Sequence, residues 1–143
     1  MSEKKYLSKI IAKDLNGLRV ISACCSGGKA KVQEIKFLKI NKLFLLLIER
    51  INKENNSDEK IKSICKFEFI DSVKSKNIDQ NNKNILELLA IDIFKVRENY
   101  EITLLFKNNA FITLFTEVLE VTLEDQNKSN DWNIRLQKFK LFI

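Results

Sequence analysis

Residues 20–32, VISACCSGGKAKV, hold two adjacent cysteines, a double glycine and two lysines. Two chemistries use such residues: a reactive thiolate, or a glycine loop that grips phosphate. A phosphate loop presents backbone amides at a helix N-terminus, where the dipole attracts anions. Here the glycines follow the stretch that reads as a helix, so an anion would meet its negative end. SGGKAK also lacks the Walker spacing. A nucleophilic thiolate is activated by a base, a helix N-terminus or a close cation. Cys24 and Cys25 stand at the opposite end of the helix, and the chain has no histidine. With Cys65 the three cysteines form no CxxC pair, so a zinc site is not expected. They read as small buried hydrophobes, with Cys24 and Cys65 at least partly buried. No catalytic, cofactor-binding or metal-ligating residue is assigned, and no cofactor is expected.

The totals narrow the field further. At 143 residues the chain is read as one domain, 1–143, long enough to bury its own core. Without histidine there is no imidazole base and no imidazole ligand, which leaves carboxylates, lysine or tyrosine for acid–base work. Glu117, Glu120 and Glu124 are the carboxylates clustered on one segment, and Glu49-Arg50 is a candidate surface ion pair. The net charge is +6. It is concentrated in residues 1–66, and a basic half can be a nucleic-acid footprint. Those lysines are not interleaved with exposed aromatics, so a solvated surface is the favoured reading. No apolar run reaches membrane-spanning length, and MSEKKYLSKIIAKDL lacks the apolar core of a signal peptide. A cytoplasmic protein with reduced thiols and no membrane partner is expected.

The elements follow from periodicity. Asp14 is the expected cap of a helix whose apolar face is Leu15, Leu18, Ile21 and Cys25, ended by Gly27 and Gly28. KAKVQEIKF then alternates with a break between Val32 and Ile35, read as a bulge. KINK at 39–42 reads as a turn and LFLLLIERI at 43–51 as a buried strand. ICKFEFIDSV at 64–73 is one strand between polar connectors at 52–62 and 74–84. ILELLAIDIF at 85–94 faces inward through Leu89, Ile91 and Ile93. YEITLLFK and AFITLFTE form a hairpin around Asn108-Asn109, a pair suited to positive φ. VLEVTLED continues the last strand after a phase slip at Val118-Leu119. The tail from Trp132 fits a helix or a kinked strand equally.

These elements predict an α+β fold, mainly antiparallel β: an N-terminal helix followed by a curled meander of about six strands forming a partly open barrel. A pleckstrin-homology-like barrel is the variant expected if the tail is helical.

Several blocks together carry a resemblance: DLNGLRVISA, KVQEIKFL, ER at 49–50, SVKSKNID, LELLAI, and ITLFTEVLEVTLED with Trp132 behind it. In this order and spacing the chain resembles the domain of unknown function 2948 family of bacterial proteins across about residues 10–132, leaving 133–143 as an extra C-terminal tail. At Cys24-Cys25-Ser26 it departs from the family, whose members usually carry His-Leu-Gln or similar there. The resemblance implies a single domain but brings no activity, cofactor or catalytic residue.

The leading expectation is therefore a non-catalytic protein-interaction module with an unidentified protein partner. The alternatives are a nucleic-acid-associated protein using the basic N-terminal half, and a histidine-independent enzyme using carboxylates. The polar loop supplies candidate partner-binding residues Lys74, Lys76, Asn77 and Asp79, because loops present polar groups free of packing constraints. The tail supplies Phe139, Leu141 and Phe142, through which a homodimer is expected, with Arg135, Lys138 and Lys140 facing solvent.

Overall fold

The computed structural model describes residues 9–52, 58–79, 81 and 84–126. The chain opens with a strand that periodicity missed, β1 (Lys9–Ala12), and a helix, α1 (Leu15–Cys25). Asp14 caps α1 as expected, its carboxylate accepting from the Gly17 amide at 2.7 Å. The buried face is Leu18, Ile21, Cys24 and Cys25; Leu15, expected inside, is exposed because it sits in the first turn beyond the core's edge. β2 (Lys29–Lys31) and β3 (Ile35–Leu38) follow, separated by a 3-10 turn at Val32–Glu34 where a bulge was expected. Both lie along β4 (Leu43–Ile51), paired to it at different points, and the turn lets the chain change direction between them.

Residues 64–73 do not form the single strand their alternation predicts. They form two strands, β5 (Lys60–Phe67) and β6 (Ile70–Lys76), because Phe69 takes a φ of 60° and breaks the extended chain. β7 (Ile85–Val96), β8 (Asn99–Phe106) and β9 (Ala110–Thr116) form a meander. Asn108 and Asn109 turn the second hairpin, with φ of 65° and 57°. In β7 a register shift between Leu88 and Ala90 turns Leu89 outward, to 46% exposure, and seats Leu88 and Ile91 inside. After β9 the chain does not slip within one strand. It crosses to a different neighbour, and β10 (Val121–Asp125) lies between β1 and β5.

Among the described residues all pairings are antiparallel, in the order β1-β10-β5-β4-β2-β7-β8-β9-β6, with β3 beside β4. The described residues thus hold ten strands, against about six expected from the pattern. The path ends at β1 and β6, so the barrel-like sheet is open. β2 joins its two halves by pairing with β4 on one side and β7 on the other.

One apolar cluster fills the interior. Phe44, Leu46, Ile48, Cys65 and Phe67 of one half meet Ile102, Leu104, Ile112 and Leu114 of the other, with Leu18, Ile21 and Cys25 from α1. A smaller cluster, Leu45, Leu47 and Ile64, lies on the opposite face of β4 and β5. Trp132 and the tail lie outside the described residues.

The double glycine seats α1 against this frame. Gly27 adopts a φ of +85°, the left-handed state glycine takes freely. Its N–H reaches the Leu88 carbonyl of β7 at 2.7 Å, and Leu88 N–H returns to the Gly28 carbonyl at 2.8 Å. Ser22 Oγ accepts from Ile91 N–H at 2.9 Å, and Ser26 Oγ donates to the Leu89 carbonyl at 3.1 Å. The end of α1 thereby covers the edge of β7 where β2 stops. A Cβ on Gly28 would lie 2.6 Å from Ile48 Cδ1, whereas one on Gly27 would meet nothing within 4 Å. Gly28→Ala is expected to cost about 1–3 kcal/mol by overpacking. Gly27→Ala should cost about 1 kcal/mol, from backbone strain alone. Urea midpoints of the two variants give the comparison, with the Gly28 variant the less stable.

Candidate functional site

The sequence singled out the thiols first. Cys25 and Cys65 are fully buried and Cys24 nearly so, all three as free cysteines. Burial in the apolar core, and then a hydrogen bond with Cys25, push the Cys65 thiol well above its ordinary range. A thiol held neutral in this way is a poor nucleophile. In the unfolded chain the same thiol ionises near pH ~8.5. Its contribution to stability is therefore complete below that value and is lost as pH rises through the higher folded value, because only the unfolded state has released the proton. Above about pH 8.5 the stability of Cys65→Ala is expected to fall less steeply with pH than that of the unaltered chain. Alkylation of all three thiols should be slow in buffer and fast in denaturing urea.

The carboxylates do not converge either. Glu120 pairs with Lys13 at 3.6 Å and Glu124 with Lys66 at 3.7 Å, while Glu117 stands exposed beyond the end of β9. Among the described residues no group of three or more His, Cys, Asp or Glu is placed to hold a metal ion. Glu49 and Arg50 do not pair as neighbours. Strand alternation puts Glu49 outside, opposite Lys29 and Lys62, and turns Arg50 into the core. There its Nη2 donates to Asp125 Oδ1 at 2.9 Å and its Nε to Ser63 Oγ at 3.0 Å. Ser63 Oγ donates in turn to Asp125 Oδ1 at 2.7 Å. This network closes one end of the core and binds β4, β5 and β10 together. Phase alone could have revealed it, since Arg50 follows Phe44, Leu46 and Ile48 at two-residue steps and Asp125 follows Val121 and Leu123.

An open cleft of about 400 Å³ lies at the β6, β8 and β9 ends, lined by Asp71, Arg97, Tyr100, Glu101, Phe115 and Glu117 among others. One of its acids and two of its rings are met by the chain's own cations. Lys42 pairs with Asp71 at 3.1 Å, Lys74 Nζ lies 5.5 Å from the Phe115 centroid and Lys95 Nζ 5.9 Å from that of Tyr100.

The expected partner-binding loop proves to be largely a strand. Lys74 and Lys76 are on β6, exposed and in phase with Ser72. Asn77 holds a φ of 61° and donates from Nδ2 to the Asn109 carbonyl at 2.7 Å, tying the end of β6 to the β8–β9 turn. Asp79 accepts from the Asn81 amide at 3.0 Å. Two of the four residues thus set local backbone, and two face solvent. Phe139, Leu141 and Phe142 lie outside the described residues.

Among the described residues β6 pairs with β9 alone, and beyond Ile70, whose N–H donates to the Lys42 carbonyl at 2.8 Å, its other edge is open. Register carries its outward row across the half-sheet. Ser72 lies beside Phe115, Glu101 and Phe94; Lys74 beside Thr113, Thr103 and Asp92; Lys76 beside Phe111, Leu105 and Ala90. The outcome is an uncovered strand edge that continues into a half-exposed, partly aromatic face.

No helix among the described residues is long and apolar enough to cross a membrane. No curated protein and no solved structure matches the chain. The family model described as protein of unknown function (DUF2948) matches residues 8–136, nearly the whole length, and the chain belongs to that family.

Proposed function

We propose that the chain is a non-catalytic protein-interaction module that takes an extended, acidic segment of a partner protein along β6. One observation carries this reading: among the described residues β6 has an unpaired edge beyond Ile70 and presents Lys74 and Lys76 outward at alternate positions. Strand addition draws affinity from main-chain hydrogen bonds and specificity from alternate side chains. A carboxylate at every second residue of the incoming strand would face these lysines. Two β6 edges paired about Lys74 or Ser75 would oppose lysine to lysine, which is destabilising. The edge therefore favours a different, acidic strand over its own copy. A cytoplasmic setting and a pleckstrin-homology-like arrangement of the open barrel belong to the same reading.

A selection of linear peptides displayed against the purified chain tests it. Enriched sequences should carry Asp or Glu at alternate positions. N-methylation of the peptide backbone should abolish binding at alternate residues and spare the residues between. Failure to enrich any sequence, or binding indifferent to N-methylation, would sink the proposal.

Nucleic acid is the second reading. Phe94, Phe111 and Phe115 share the outward face with Lys74 and Lys76, as a base-stacking platform would require. Asp92 and Glu101 lie on that same face, however, and several lysines of the basic half have acidic neighbours: Lys13 with Glu120, Lys66 with Glu124, Lys29 with Glu49 and Glu87. Titration with a single-stranded oligonucleotide at low salt should show no salt-dependent binding.

A further inference from the structure

Among the described residues a further strand edge is uncovered. β2 pairs with β7 only at Ile85, Leu86 and Glu87, and the end of α1 covers β7 only as far as Ile91. From Asp92 to Val96 nothing among the described residues pairs with that side of β7. The same stretch carries Phe94 at 59% and Val96 at 48% exposure.

We infer that a second copy of this chain docks here, the two β7 edges pairing antiparallel about a two-fold axis at Phe94. In that register Phe94 faces its own copy, Ile93 faces Lys95 of the second copy, and Asp92 faces Val96. No like charges stand directly opposite, and the central pair is aromatic on aromatic, a favourable cross-strand contact. Isologous pairing needs such self-complementarity. The two ends of the sheet offer less of it: paired about Lys74 or Ser75, β6 would set lysine against lysine, and β1, at four residues, is too short to hold a partner firmly. Pairing at β7 also leaves β6 free, so the dimer and the acidic-peptide reading stand independently.

Sedimentation of the full chain tests the docking. Dimers are expected at tens of micromolar, a range that corresponds to a modest interface. Phe94 is exposed, so Phe94→Lys should fold normally and weaken association by at least about tenfold. Phe94→Cys, incubated with oxidised glutathione, should form an intermolecular disulfide, two thiols giving one disulfide while glutathione is reduced. Asp92→Cys, whose counterpart faces Val96, should not. A chain that stays monomeric, or a dimer indifferent to Phe94→Lys and lacking the Phe94→Cys crosslink, overturns the inference. So does a dimer lost on deleting residues 134–143 but kept in Phe94→Lys, which would place the contact at Phe139, Leu141 and Phe142 instead.

Discussion

Asp125→Ala is expected to destabilise the fold by about 3–5 kcal/mol, a large share of a domain's total stability. The reason lies in what it leaves behind. Arg50 is 1% exposed, and its guanidinium donates to Asp125 and to Ser63. Removing the carboxylate takes the Asp125 partner from a buried guanidinium and deprives the Ser63 hydroxyl of its acceptor. The pair itself is worth far less than its breakage, because two charges were desolvated to form it. Replacing both partners with apolar residues, Arg50→Met with Asp125→Leu, should therefore recover most of the loss. Urea unfolding of the single and double variants measures this. A single variant within about 1 kcal/mol of the unaltered chain would mean that the network is not closed as described.

Phe67→Ala should cost a similar amount, about 3–5 kcal/mol. Phe67 lies opposite Phe44 on β4 and Val121 on β10, and its ring meets that of Phe44 edge-on at 5.8 Å and 66°. It is also the last residue of β5 before the chain bends through Phe69 into the other half of the sheet. Truncation opens a cavity where three strands converge, and the rigid bend limits collapse around it. Thermal unfolding should show a large drop in midpoint, whereas Phe69→Ala, at an exposed site, should lose much less.

The parts of this fold that were legible in the sequence are those whose signals are local. Asp14 and the glycine pair bound the helix. Asn108-Asn109 marks the hairpin, and the apolar run 43–51 coincides with β4. The missed features depend on distant partners. Residues 64–73 alternate without interruption, yet Phe69 turns the chain with neither glycine nor proline to announce it. The slip at Val118-Leu119 looks the same whether a strand bulges or the chain changes neighbours. β1 is four residues of ordinary composition that gain meaning only beside β10. The site divides along the same line. Lys74 and Lys76 stand out in the sequence as part of a polar loop, but only the structure reveals that they lie on a strand, and the sheet order that this strand is an edge. Arg50 and Asp125 share the phase of their strands' core positions, a signal outweighed by the rarity of buried charge.

The central claim is that β6 receives a partner strand, and amide protection tests it most directly. Hydrogen exchange should be followed by NMR on the full chain, with and without a selected acidic peptide. Within residues 71–76 the account predicts new protection at alternate amides only, those whose N–H groups point away from β9, because an added strand can pair with no others. Protection of every β6 amide alike, of residues in β2 or α1 instead, or of none at saturating peptide would contradict it.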